Sequence, residues 1–321
     1  MATLAEIRAK LQAQDNRKTT SSGDNVIYPH WNIPEGAEVV LRFLPDGNTK
    51  NDYFWQERAM IRLPFKGIKG QMDSKPVMVQ VPCVEMWGDT CPVLSEVRTW
   101  FKDKSLEEMG RKYWKKRSYV FQGFVRENPM TEDSTPENPI RRFIISPQLF
   151  TLVKSALLDP EIEEFPTDYK RGLDFRIVKG TKGGYADYGT SKWARKESAL
   201  SATEMAAIDQ HGLFNLNDFL PKKPSDTELA VIKSMFEDSV DGQAYDSDKY
   251  SAYFRPAGVS AGAAPSAPEA KAQEVKAAPT PSFDEDDEPV ATAAVTTPAK
   301  PAGESKKAED ILAMIRNRQK S

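Results

Sequence analysis

With 321 residues the chain can bury a sizeable core, and 28% charged with 39% hydrophobic residues is the balance of an ordinary globular protein. No run of about 18 apolar residues occurs, and the opening MATLAEIRAKLQ is charged and amphipathic where a signal peptide would be apolar, so neither membrane insertion nor secretion is expected. A formal net charge of -3 with only two cysteines and two histidines leaves no disulfide scaffold and little of the usual catalytic machinery.

In chain order, residues 1–25 read as an arm. Leu4, Ile7 and Leu11 stand at helical spacing and run into the polar stretch NRKTTSSGD. Residues 26–255 read as the core. Short β-like runs, AEVVLRFLP, VMVQVP, YVFQGFV, RRFII and LDFRIV, are separated by Pro, Gly, Asn and Asp, and suggest a small barrel. Helical patterns fall at about 93–109, 147–158, 201–210 and 226–239, so the expected class is β-rich α+β with helical insertions. From Pro256 the Ala/Pro/Gly bias lacks bulky apolar residues, and residues 256–321 are expected to be a disordered tail. The tail carries five consecutive acids, Asp284, Glu285, Asp286, Asp287 and Glu288, and closes on AEDILAMIRNRQKS. That last segment predicts a helical peptide presenting Ile311, Met314 and Ile315 to a partner. The NRQKS ending echoes the NRKTTSS of the arm, as if tail and arm competed for one ligand.

Charge is segregated along the core. Residues 60–126 hold 13 Lys and Arg against 7 acids, and residues 170–196 hold 8 against 2. Residues 127–169 and 197–250 carry the compensating acid, 9 against 3 and 11 against 4. Each basic segment also holds aromatic rings. In the first, Arg111, Lys112, Lys115, Lys116 and Arg117 interleave with Tyr113, Trp114, Tyr119 and Phe121. The second, RIVKGTKGGYADYGTSKWARK, sets Lys179, Lys182, Lys192, Arg195 and Lys196 around Tyr185, Tyr188 and Trp193. Cations attract phosphates while rings stack on unpaired bases, so the combination favours a single strand over a duplex that hides its base faces. For one such segment a buried strand with solvated cations is an equal reading; two segments suggest opposite walls of one groove.

Three other chemistries are excluded or weak. Gly184 and Gly189 have P-loop spacing, but Thr190 stands where the phosphate-binding Lys belongs. Cys83 and Cys91 form a C-x7-C pair, with His30 and His211 distant in sequence, which is short of a zinc ligand set. Cys91 has no evident base beside it, so a structural thiol is expected and no enzyme.

The ordered segments VVLRFLP, CPVL, KKRSYVFQGFVRENP, RRF and LDFRIVKGTKGGYADYGTSKW span roughly residues 17–255 of a pattern that resembles the single-stranded DNA-binding (helix-destabilising) proteins of T-even bacteriophages. The resemblance implies an OB-fold core with a connecting subdomain and an electropositive, aromatic-lined cleft. It also implies a basic arm that contacts a neighbouring protomer, matched here by Arg17, Lys18, Thr19 and Thr20. The family's aromatic positions carry over to Tyr119 and Tyr188 with Tyr185 nearby, while Arg141 stands where the family has Tyr. Its zinc site of one His and three Cys is not matched: only Cys83 and Cys91 align, Leu94 replaces the last Cys, and Leu63 or Pro64 sits near the His position, so no metal or cofactor is expected.

The expectation is therefore a cooperative, sequence-nonspecific single-stranded DNA-binding protein of phage replication, recombination and repair, acting in the host cytoplasm. It would self-associate along DNA and meet replication and recombination proteins through its tail. An RNA-binding regulator using the same surface, or an adaptor binding acidic partners through its basic segments, are the alternatives.

Overall fold

In a computed structural model the described residues are 26–71, 73–132, 135–160 and 165–256. The expected arm helix, Arg17 to Thr20, the acidic cluster Asp284 to Glu288 and the terminal peptide all lie outside the described residues. The chain is mixed α+β, with a mostly antiparallel sheet and several helices. It divides into two compact units: among described residues, 26–55 with 120–217, and 56–119 with 218–256.

In the first unit, β1 (Glu38–Phe43) pairs antiparallel with β4 (Lys116–Glu127) on one side and β6 (Leu173–Val178) on the other. β9 (Lys192–Glu197) pairs with β6, and β5 (Arg141–Ile145) with β4. A strand covered on both faces reads as a continuous apolar run, and EVVLRF does so. Its register requires glycine opposite Phe43, because a Cβ on Gly123 would meet the Arg42 carbonyl oxygen at 2.0 Å. The core is aromatic: the Phe43 ring lies 4.7 Å from Phe121, 5.7 Å from Phe175, 5.8 Å from Phe143 and 5.8 Å from Trp193.

One cation is buried in β1. Arg42 donates to the Asp168 carbonyl and to Ser198 Oγ, and Asp174 lies 3.8 Å away. Arg126 shares Asp174 at 2.8 Å and holds Glu204 at 2.9 Å. Glu204 also closes the capping box of α4 (Ala202–His211) with Ser201, so this network fixes the helix start to the sheet. Ser146 caps α3 (Pro147–Leu157) by accepting the Leu149 N–H, and Pro at the first helical position has no N–H to satisfy. Between β6 and β9 the chain makes a small hairpin of β7 (Gly180–Lys182) and β8 (Tyr185–Asp187). Gly183 and Gly184 form its two-residue turn with φ of 61° and 88°, a conformation that residues with a Cβ rarely adopt.

In the second unit, β2 (Gln56–Phe65) and β3 (Val77–Pro82) form an antiparallel ladder from Met60↔Pro82 to Phe65↔Val77. Alternate residues Ala59, Ile61, Leu63 and Phe65 turn inward and pack with Val79 and Val81. Helices α1 (Pro92–Trp100), α2 (Glu107–Tyr113) and α5 (Asp226–Val240) complete this core, and α6 (Ser247–Tyr250) adds Tyr250. β2 is a strand absent from the sequence expectation: its inward residues alternate as a strand's should, but Pro64 within the run reads against one. The single helix expected over 93–109 is two helices. Asp103 Oδ1 takes the Ser105 N–H at 3.0 Å and its hydroxyl at 2.7 Å, offering the backbone a turn in place of a continued helix.

Candidate nucleic-acid interface

The segment 111–121 does not present its rings as expected. Tyr113 is a core residue of the second unit, edge-on to Phe236 at 5.4 Å and Trp100 at 5.9 Å, with its hydroxyl 3.0 Å from Ser239 Oγ. Tyr119 is buried too, and Phe121 is wholly inside the first unit. The cause lies in β4, whose residues 118–124 are all buried, so no alternation delivers a ring to solvent. Trp114 is half-buried, edge-on to Phe101 at 5.3 Å, with the Arg98 guanidinium 5.8 Å from its centroid. The cations are engaged as well: Arg111 meets Glu107 at 2.8 Å, Lys115 meets Glu85 at 2.8 Å, and Arg117 meets Glu57 at 3.4 Å. Lys112 is exposed, 6.0 Å from the Tyr113 centroid, and Lys116 is half-buried.

Arg141 is likewise an interior side chain. It bridges to Glu132 at 2.9 Å, donates to the Val26 carbonyl, and stands 5.4 Å over the Tyr28 ring, so its cation is already matched within the first unit.

The segment 179–196, all in the first unit, divides differently. Trp193 packs 5.0 Å from Phe175 and belongs to the core. Tyr188 is buried, its backbone N–H bonded to Gln148 Oε1, and burial pushes its hydroxyl pKa up to about 12. Its ring lies 6.0 Å from His30, which is fully buried between Tyr188 and Trp31. Desolvation, reinforced by the Lys179 charge, pushes His30 down to about 3. Lys179 spends its ammonium on the Trp31 carbonyl at 2.7 Å. What remains at the surface is the hairpin tip: Tyr185 is 65% exposed and pairs in register with exposed Lys182. Lys192, Arg195 and Lys196 are exposed along the neighbouring β9.

Tyr113, Tyr119, Phe121, Tyr188 and Trp193, expected as stacking rings, are structural, and Tyr185 alone of the expected rings is well exposed. The sequence reading missed another aromatic group in the same unit, the run Tyr53, Phe54, Trp55. Tyr53 is 60% exposed and Trp55 half-buried, 5.3 Å from Phe150 on α3. The same helix start holds the hairpin, since Gln148 Nε2 donates to Asp187 Oδ1 at 2.7 Å. Three adjacent rings were the available signal, because a pleated strand can bury only alternate ones.

A zinc site of the family's kind does not fit these residues. Cys83 and Cys91 are buried free thiols, while Leu63 and Leu94 are fully buried apolar members of the same core. The Cys83 S–H bonds to Cys91, and N–H groups of Leu94 and Val93 at the start of α1 add to this, holding the Cys91 thiol below its ordinary range and pushing Cys83 up. Among the described residues no group of three or more His, Cys, Asp or Glu could hold a metal ion, and no helix is long and apolar enough to cross a membrane. Compared with protein-family models and with curated proteins, the chain matches none.

Proposed function

We propose that the chain is a non-enzymatic, sequence-tolerant single-stranded DNA-binding protein, its first unit an OB-type core, serving phage replication, recombination and repair in the host cytoplasm. The arm at Arg17 to Thr20 would join protomers along DNA, Asp284 to Glu288 would compete with DNA for the basic surface or the arm, and residues 308–321 of the tail would recruit replication and recombination proteins. Support comes from the ordered segments that resemble the T-even family, and from one observation above all. The Gly183–Gly184 turn lifts Tyr185 into solvent opposite Lys182, with Lys192, Arg195 and Lys196 exposed on the strand that follows. A ring for a base beside cations for phosphates is the minimum equipment for holding an unpaired strand. The five rings that turn inward reduce the expected stacking surface but leave this hairpin intact.

Titration with fluorescent oligo-dT, a matched duplex and a matched RNA at several salt concentrations tests the reading. Preference for oligo-dT with affinity falling steeply as salt rises is the expected result. Equal affinity for the duplex would sink it, and preference for RNA would replace DNA as the ligand.

A further inference from the structure

We propose that the loop of residues 46–55 is a second stacking platform, on which one unpaired nucleobase lies against Tyr53. This inference rests on the single-strand reading above. Tyr53 is the outer end of a column of rings. It lies 4.8 Å from Trp55 at an interplanar angle of 36°. Trp55 lies 5.8 Å from Phe121 at 26°, Phe121 lies 4.7 Å from Phe43 at 34°, and Phe43 lies 5.7 Å from Phe175 at 28°. The column runs from solvent to the centre of the first unit, and the outer face of Tyr53 continues it.

The loop that carries the ring is held before any ligand arrives. Asp46 is buried and accepts the N–H groups of Asn48 at 3.0 Å and Leu216 at 2.9 Å. Asn51 Nδ2 donates to Asp46 Oδ2 and to the Trp55 carbonyl, while Asn51 Oδ1 accepts the Tyr53 N–H at 3.1 Å. Gly47 donates to the Phe214 carbonyl, and a Cβ there would meet the Leu213 carbonyl oxygen at 2.6 Å. A ring fixed in this way loses little conformational freedom on stacking, which is what makes a platform effective. Its frame is polar: Lys50 and Asp52, which precede it in the loop, are exposed. One ring in a polar frame suits a flat aromatic ligand with a charged backbone better than a protein partner, which would need a broader apolar patch. Trp55, the next ring inward from Tyr53, and the hairpin both adjoin the start of α3, through Phe150 and Gln148, so one helix supports both the Tyr185 hairpin and the column that ends in Tyr53.

The test compares wild type, Tyr53→Ala and Tyr53→Phe on a short oligo-dT and on an abasic oligomer with the same number of phosphates. Stacking predicts that Tyr53→Ala weakens oligo-dT binding roughly 5- to 150-fold, that Tyr53→Phe binds as wild type, and that the abasic oligomer does not distinguish the three. An unfolding curve for each protein removes a folding defect as the explanation. Unchanged oligo-dT binding by Tyr53→Ala overturns the platform and leaves the single-strand reading standing. Equal loss on both oligomers also overturns it, because the ring would then act on the backbone or the fold. A Tyr53→Ala change that alters self-association without nucleic acid would assign the ring to a second copy instead. Wild type that ignores oligo-dT altogether removes both proposals.

Discussion

Two stretches of this chain share one composition and meet opposite fates. In 111–121 helix α2 turns Tyr113 into the core of the second unit and β4 buries Tyr119 and Phe121, while Arg111, Lys115 and Arg117 settle on Glu107, Glu85 and Glu57. In 179–196 a two-glycine turn takes the chain out of the sheet, and Tyr185 escapes burial while Tyr188 and Trp193, nearer the sheet, do not. Basic residues interleaved with rings therefore do not specify a binding surface by themselves. What decides is whether the backbone carrying them stays in a covered strand, and a pair of glycines at positive φ is the local feature that settles it here.

The largest effect that would sharpen this contrast is on stability. Phe121 touches Phe43, Phe54, Trp55 and Phe150, so Phe121→Ala leaves a cavity at the centre of the ring column. A loss of about 3–5 kcal/mol is expected from denaturant midpoints. Tyr185→Ala, by comparison, should leave the midpoint unmoved. A Phe121→Ala protein of wild-type stability would return that ring to the list of free stacking surfaces.

His30 offers the next test, through pH. Its folded-state value of about 3 lies below the ordinary 6.5, so below pH 6.5 the unfolded chain takes up a proton that the folded chain refuses. The stability is fully present above pH 6.5 and is lost as pH falls towards 3, at up to about 1.4 kcal/mol per pH unit. Carboxylates titrate in the lower part of this window, so the readout is the difference between wild type and His30→Phe. That difference should shift in favour of the variant as pH falls from 6.5 to 5; a constant difference would mean that His30 is solvated, and that Tyr188 above it is less enclosed than its contacts indicate.

How much of this was legible beforehand follows the same line. The strands at β1, β3, β5 and β6 and helices α3, α4 and α5 announced themselves through apolar runs, caps and spacing. β2 did not, because Pro64 falls within its run, and the break between α1 and α2 depends on a side chain, Asp103, turning back on its own backbone. For the site, sequence could supply residue types but not that both faces of β4 are covered, since that depends on packing against residues distant along the chain, such as Phe43 and Phe54 on Phe121. The Tyr53 loop was readable in part from three consecutive rings. Its anchoring on Asp46 and the segment 213–216 was not, because those contacts join residues some 170 positions apart.

A binding effect comes next in size. Tyr185→Ala should weaken oligo-dT binding by about 1–3 kcal/mol, whereas Tyr113→Phe, which removes only a hydroxyl bonded to Ser239, should leave affinity unchanged and cost about 1 kcal/mol of stability. The reverse outcome, with Tyr113 governing affinity, would exchange the roles assigned to the two segments.

The smallest effect separates the cations. Lys115 lies 2.8 Å from Glu85, a carboxylate it shares with Arg98, so in the free protein its ammonium is held in an ion pair. To meet a phosphate it must first give up that pair, and it gains little by the exchange. Lys182 is exposed at the hairpin tip and makes no ion pair among the described residues, so binding a phosphate there releases a condensed counterion without first breaking such a pair. The slope of log affinity against log salt should therefore fall by nearly one unit in Lys182→Gln and hardly change in Lys115→Gln, read from titrations of wild type and both variants over the same salt range. Equal slopes for the two variants would mean that Glu85 releases Lys115 when DNA binds, and that the segment 111–121 contributes to the interface through its charges even though its rings are buried.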